Sequence, residues 1–144
     1  ATWSHEKLYV LGSVFTWNDQ ALMLLGGTPE LEEDLMSAGA VRFSSEFAQI
    51  NHANQVESWD AGTRPMAPGW VVVAQNRPGK RLSKTRLSAA ATALELVGRT
   101  PGARFNPQRV LSRAADFSLS IPGFRAEYGQ RKEMVRFLAS GLPR

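Results

Sequence analysis

Glycine and proline cluster in the middle of the chain, and this cluster limits the length of any helix there. Between Asp60 and Gly79, six such residues bracket an apolar, β-branched run at residues 70–73. The segment predicts a loop, one short strand and a turn. Stretches on either side carry apolar residues at helical spacing. The sequence therefore predicts a mainly α-helical fold, a single-domain helical bundle with a small β element near its middle and extended terminal arms.

Capping residues, prolines and glycines delimit the predicted helices. About five to seven helices are expected, the principal ones over residues 16–25, 28–39, 44–59, 84–97, 106–117 and 124–139. Residues 8–11 could form either a helix or an arm that docks on a neighbouring subunit. The predicted organisation is an N-terminal arm or first helix over residues 1–15, a helical core over 16–140 and a C-terminal tail over 141–144.

Composition narrows the classes of protein. The 144 residues are 43% hydrophobic and 21% charged, which is typical of one soluble globular domain. No apolar run approaches the ~20 residues of a membrane span, and no signal-like segment follows a basic start. With no cysteine and only two histidines, disulfides, thiolate metal sites and cysteine nucleophiles are excluded. We therefore expect a protein without enzymatic activity, metal or cofactor.

Charge is distributed unevenly along the chain. Residues 1–62 hold nine acids and two bases, a net charge of −7, whereas residues 63–144 hold fifteen bases and four acids, a net charge of +11. Most of the bases are arginines, whose forked guanidinium suits phosphate. A polyanion, most commonly nucleic acid, is the natural partner of the second part. A molecule with an acidic and a basic end can also stack head to tail into a filament.

The basic residues are densest near the predicted start of the helix at residues 84–97. Arg77, Lys80, Arg81, Lys84 and Arg86 lie within ten residues of one another. A predicted turn and helix start would add backbone N–H groups that attract anions. We expect this segment to bind phosphate and not to read bases.

The next predicted helix continues the basic pattern. Arg109 and Arg113 lie one helical turn apart. Asp116 is an acid in a basic region, and two roles are open to it. It forms a salt bridge with Arg113, Arg109 or Arg86, or it holds such an arginine in register for phosphate.

Three segments, in order, share residue types with a known family. Residues 56–69 contain a valine, a tryptophan, an acid and Gly-Thr-Arg-Pro, with a glycine before the β-branched run. Residues 85–87 place an arginine before an alanine-rich stretch, and residues 109–117 contain Arg-Val-Leu, two alanines and Asp-Phe. In these features the chain resembles the core of the coat proteins of flexuous filamentous plant RNA viruses, the potyvirus-like type.

The resemblance implies specific site residues. In that family a serine, an arginine at a helix start and an aspartate line the groove that holds single-stranded RNA. The arginine corresponds to Arg86 and the aspartate to Asp116, while Arg64, with Thr63 adjacent, stands where the family has its serine. The resemblance also implies terminal arms that join subunits into a helical homo-polymer, and a location in the virion or the host cytoplasm.

The leading hypothesis is a coat or nucleocapsid-type protein that polymerises around single-stranded RNA through phosphate contacts that ignore base sequence. The predicted RNA-binding residues are Thr63, Arg64, Arg81, Lys84, Arg86, Arg109, Arg113 and Asp116. Two alternatives stay open. One is a ribonuclease domain of a bacterial toxin with His52 and Glu57 as its acid–base pair. The other is a structural protein of a phage head or tail that binds no RNA.

Overall fold

The computed structural model describes residues 7–17, 19–58 and 63–142. Within them the chain forms two β-sheets and four α-helices, with a short 3-10 turn at Ala103–Phe105 and a π turn at Phe137–Gly141. The strands are β1 (Leu8–Leu11), β2 (Ser13–Trp17), β3 (Gln20–Leu25), β4 (Val41–Ser44), β5 (Phe47–Ile50), β6 (Val56–Ser58), β7 (Pro68–Asn76), β8 (Ser83–Leu87) and β9 (Gly123–Tyr128). The helices are α1 (Pro29–Ser37), α2 (Ala89–Val97), α3 (Pro107–Ser118) and α4 (Arg131–Arg136).

Six strands form the larger sheet in the order β4-β2-β3-β7-β9-β8, and β1, β5 and β6 form the smaller one. At the centre of the larger sheet β3, β7 and β9 run parallel. The flanking strands β2, β4 and β8 pair antiparallel to their neighbours. The fold is therefore mixed α/β, and β4 and β8 are the two edge strands of the larger sheet.

Apolar side chains cover both faces of the larger sheet. Val71 and Val73 of β7 lie on the face that packs against α2, α3 and the smaller sheet. Trp70 and Val72 lie on the opposite face, which packs against α1 and α4. Burial on both faces is typical of parallel strands, and it accounts for the unbroken apolar run in β7.

The predicted helical bundle is wrong, because strands replace several of the predicted helices. Residues 16–17 form the end of β2 and residues 20–25 form β3, and Trp17 pairs with Gln20 at the turn of this hairpin. Asp19 in that turn has a φ of 62°, as hairpin turns require. Short apolar runs suit both a helix and a buried strand, and pairing with distant residues decides between them.

The predicted helix over residues 44–59 is also wrong, because this region contains β5, β6 and the tight turn between them. The Oδ1 atom of Asn51 accepts hydrogen bonds from the backbone N–H groups of Ala53 and Gln55, at 3.0 and 2.9 Å. Asn54 has a φ of 60°. This side-chain-to-backbone turn competes with helix formation and reverses the chain.

Two further predicted helices begin as strands. Residues 83–87 form β8, and α2 begins only after Ser88, whose Oγ accepts a hydrogen bond from the N–H of Ala91 at 3.0 Å. Ser83, which directly precedes the helix predicted over residues 84–97, is the first residue of β8. Residues 123–128 form β9, so the last predicted helix is reduced to α4 and the π turn.

Three predicted elements are confirmed. Helix α1 begins after Thr28, whose Oγ1 accepts a hydrogen bond from the N–H of Leu31 at 3.2 Å, and Pro29 occupies its first turn. Helix α3 begins at Pro107. The strand predicted at residues 70–73 lies within the longer β7. Each of these elements carries its own cap, proline or β-branched run.

The N-terminal segment, which suited a helix and a docking arm, forms β1 over residues 8–11 and pairs with β5 of the same chain. Residues 1–6, 18, 59–62 and 143–144 lie outside the described residues, and they include part of the predicted arm and tail. Among the described residues no helix has both the length and the apolar character of a membrane span.

Gly123, the first residue of β9, is closely packed against Thr92 of α2. A Cβ atom at position 123 would overlap the side chain of Thr92. We expect Gly123→Ala to lower the free energy of unfolding by about 1–3 kcal/mol, measured by urea denaturation. Gly98→Ala is the control, because a Cβ there would be 3.5 Å from its nearest neighbour, an ordinary contact. Failure of Thr92→Ala to restore stability to the Gly123→Ala variant would contradict this packing.

Glu57 of β6 stabilises the smaller sheet through an ion pair. Its carboxylate lies 2.7 Å from the Nζ of Lys7 and accepts a hydrogen bond from Asn51 at 3.3 Å. Burial raises the pKa of Glu57, but the bonds from Lys7 and Asn51 and the charges of Lys7 and His52 outweigh it and lower the pKa below its ordinary value.

A carboxylate with a lowered pKa contributes stability above its unfolded-state pKa, and this contribution is lost as pH falls through the folded-state pKa. We therefore expect Glu57→Gln to lower stability at neutral pH, and the difference from the wild type to shrink below about pH 4. Denaturant titrations across the acid range measure it. An equal difference at every pH would contradict the ion pair.

Candidate nucleic-acid interface

Two of the predicted phosphate-binding residues lie side by side on edge strand β8. Lys84 and Arg86 alternate along the strand, so both point to the sheet face that α4 covers. Thr85, between them, points to the opposite face. Both cations are exposed. The predicted residue Arg81 is also exposed, two residues before the strand begins.

Aromatic rings lie beneath both cations. The Nζ of Lys84 is 5.0 Å from the ring centroid of Phe137, and the Cζ of Arg86 is 5.4 Å from that of Phe124. The two rings pack edge to face with centroids 6.0 Å apart. A cation over a ring gains about 0.5–1 kcal/mol at an exposed site, so these contacts restrict the two charged groups to one side of the strand.

A shallow depression of about 280 Å³ lies between β8 and α4, and Lys84, Phe137 and Arg136 line it. Glu133 lines it too, so this end of the patch contains one carboxylate. We call the patch formed by Arg81, Lys84, Arg86, Phe124, Arg136 and Phe137 the β8 surface.

The cations of the β8 surface are not neutralised by ion pairs. Eight cationic side chains form ion pairs within residues 7–17, 19–58 and 63–142, namely Lys7, Arg42, Arg77, Lys80, Arg99, Arg113, Arg125 and Arg131. Within the same residues Arg81, Lys84, Arg86 and Arg136 form none, and neither do Arg64, Arg104, Arg109 and Lys132, but only the first four belong to the β8 surface. Unneutralised cations clustered on one exposed face produce a positive local potential.

A cluster of ion pairs fixes the turn between β7 and β8. Glu127 of β9 pairs with Arg77, and with Lys80 at 2.8 Å. The hydrogen bond from Lys80 and the charge of Arg77 lower the pKa of Glu127, because they favour its ionised form. Gly129 packs so closely against the Lys80 backbone that a Cβ there would overlap it. Arg77 and Lys80 thus have a structural role, whereas Lys84 and Arg86 of β8 form no ion pair with any residue that the structure describes.

The structure places Arg113 and Asp116 in a different site. Both lie on α3, which covers the sheet face opposite Lys84 and Arg86. The guanidinium of Arg113 donates hydrogen bonds to the backbone carbonyl of Asn51 at 2.7 Å and to Asn54 Oδ1 at 3.3 Å. Asp116 accepts one from Asn54 at 2.9 Å and lies 3.5 Å from Arg113. Of the two roles open to Asp116, the salt bridge with Arg113 is present, and the group holds the β5–β6 turn against α3.

Arg109 also lies on α3, away from β8. It is half-buried and donates a hydrogen bond to the backbone carbonyl of Lys7 at 3.4 Å. Thr63 and Arg64 are exposed in the segment that leads into β7. The structure therefore places Lys84 and Arg86 side by side, with Arg81 two residues before their strand, and separates them from Arg109, Arg113 and Asp116 on the opposite face of the sheet.

The sequence analysis did not identify Phe124, Phe137 and Arg136 as site residues, because residues 124–139 were assigned to one helix. Two signals could have found the site. Lys84 and Arg86 flank a threonine with the two-residue period of a strand. Phe124, Ala126 and Tyr128 alternate in the same way.

The residues proposed for a ribonuclease are differently placed. His52 is exposed in the β5–β6 turn, and Glu57 is bound to Lys7 and Asn51. The lowered pKa of Glu57 makes it a weak proton acceptor near neutral pH. Among the described residues, no three His, Asp or Glu side chains form a group that could hold a metal ion.

The two halves of the chain, which differ in net charge, supply opposite sides of the larger sheet. Strands β4, β2 and β3 come from residues 1–62, and β7, β9 and β8 come from residues 63–144. The β8 surface lies on the side supplied by the basic half.

Comparisons of the chain with protein-family models, curated proteins and solved structures find no match.

Proposed function

We propose that the protein binds single-stranded RNA through its phosphates at the β8 surface. The observation that carries this proposal is the cluster of cations without ion pairs, two of which are held over aromatic rings. Phosphates are the dominant targets of such cations, and their neutralisation releases counterions from the nucleic acid. Binding of this kind depends on salt and ignores base sequence.

The shape of the surface favours a single strand. Lys84 and Arg86 are two residues apart on a strand and therefore about 7 Å apart along it. They form a short track on a sheet edge, open to solvent. Proteins that bind single strands without sequence preference combine a cationic track with aromatic side chains. Here Phe124 and Phe137 lie beneath the cations, and Phe137 is buried, so the rings position the cationic track and do not stack on bases.

We propose that several copies of the protein coat one RNA strand. Contacts to a repeating backbone allow several copies to bind one RNA side by side, as a coat protein requires. The acidic and basic halves of the chain supply opposite sides of the larger sheet, and attraction between them would favour contacts between neighbouring copies. Arg109, Arg113 and Asp116 are not part of the proposed surface, because they lie on the other face of the sheet.

Removing the two cations of β8 should weaken RNA binding. We expect the Lys84→Gln, Arg86→Gln double variant to lose at least about tenfold in affinity for oligouridine at low salt, measured by fluorescence anisotropy. The slope of log affinity against log salt should fall by about 1.4, because each phosphate contact to a single strand contributes about 0.7.

The matched control is Arg104→Gln. Arg104 is also a cation over a phenylalanine, with its Cζ 4.9 Å from the Phe105 centroid, but it lies near α3. The Arg104→Gln substitution should change the affinity for oligouridine less than about twofold, because Arg104 lies outside the proposed phosphate contacts. Equal losses in the control and in the Arg86→Gln single variant would show that only net charge matters and would refute the β8 surface as the site.

Incubation with labelled RNA separates a coat from a nuclease. We expect the RNA to remain full length and to become resistant to an added ribonuclease, while the protein sediments as a larger, RNA-dependent species. The ribonuclease alternative would be favoured if the protein alone shortened the RNA and the His52→Ala variant no longer did so. A monomer at every RNA concentration would contradict coating, although RNA binding itself would stand.

A further inference from the structure

A cleft of about 700 Å³ adjoins the β8 surface. Three segments line it: residues 68–70 at the start of β7, residues 86–89 at the junction of β8 and α2, and residues 118–122 between α3 and β9. Gln20 completes the lining. Arg86 belongs both to this cleft and to the β8 surface. A strand held by phosphate contacts on β8 therefore passes the mouth of the cleft.

The lining of the cleft combines one charge with neutral groups. Among the described residues that line it, Arg86 has the only ionisable side chain. Two serines of the lining already form hydrogen bonds within the protein. The Ser88 hydroxyl caps α2, and the Ser118 hydroxyl donates to the Ala114 carbonyl. The Ser120 hydroxyl and the Gln20 amide also line it, and each can donate and accept.

Apolar surface completes the cleft. Leu87, Ile121 and Pro122 contribute to its walls, and Leu119 at its rim is 76% exposed. An exposed leucine next to a cavity is an apolar contact available to a ligand. The volume lies within the roughly 300–1,000 Å³ of small-molecule sites. The cleft therefore suits a ligand with one anionic group and a neutral, partly apolar body that forms hydrogen bonds.

We propose that this cleft binds the base and ribose of one nucleotide while Arg86 binds its phosphate. The inference rests on the proposed RNA binding and adds a base subsite to it. A free inorganic phosphate would use Arg86 but leave the rest of the cleft empty. A nucleotide matches both parts, because a planar base offers hydrogen-bonding edges and apolar faces and its phosphate carries the charge.

The test compares oligouridine with an abasic ribose-phosphate oligomer of the same length. Both carry the same phosphates, so the β8 surface alone would bind them equally. We expect oligouridine to bind at least about tenfold more tightly, as expected when a base gains a stacking or hydrogen-bonding site. Inorganic phosphate and uridine monophosphate, as competitors, separate binding of the phosphate from binding of the whole nucleotide.

Ser120→Trp tests the cleft directly, because the indole would fill it. Ser112→Trp is the matched control, since Ser112 is an exposed serine of α3 that does not line the cleft. Ser120→Trp should abolish the preference for oligouridine. It should leave the affinity for the abasic oligomer, and the salt dependence of that affinity, unchanged. Ser112→Trp should retain the preference. Thermal melting of both variants checks folding.

The outcomes distinguish the two proposals. Equal affinity of the wild type for the two oligomers would overturn the base subsite and leave phosphate binding at β8 in place. A preference that survives in Ser120→Trp would place the base elsewhere and overturn the cleft assignment. Absence of binding to both oligomers would overturn the base subsite and the proposed function together.

Discussion

Burial of the parallel strands β3 and β7 on both faces is the constraint on which the rest of the structure depends. Residues 21–25 and 70–74 have no polar member to turn towards water, so each face of the larger sheet must be covered. Helices α2 and α3 with the smaller sheet cover one face, and α1 and α4 cover the other. This layering leaves β8 at an open edge, where its outer side chains remain exposed.

The local features of the chain predicted some elements well. Helix α1 has Thr28 and Pro29 at its start, helix α3 has Pro107, and β7 has a β-branched run, so each could be identified without knowledge of its neighbours. The strands β3, β5, β8 and β9 could not be identified in this way. Each of them pairs with at least one strand that is distant in sequence, and their residues also fit helical spacing.

The candidate site was predictable only in part. Charge density identified Arg81, Lys84 and Arg86, but it did not distinguish free cations from those with structural partners. Arg113 is an arginine in the same basic half of the chain, yet its guanidinium forms hydrogen bonds that hold the β5–β6 turn. The difference comes from contacts between residues about sixty positions apart, which a single sequence does not reveal.

Only Ser88 separates β8 from α2, and it caps the helix while Leu87 is still part of the strand. The end of β8 is thereby tied to a helix that packs on α3 and on the sheet. Arg86 cannot shift its backbone unless this helix shifts with it. For the proposed RNA binding, the backbone that presents Arg86 would need no rearrangement, so little backbone entropy would be lost on association. Encounter rates would then be governed by long-range electrostatic attraction and by ionic strength, without a preceding rearrangement of the protein.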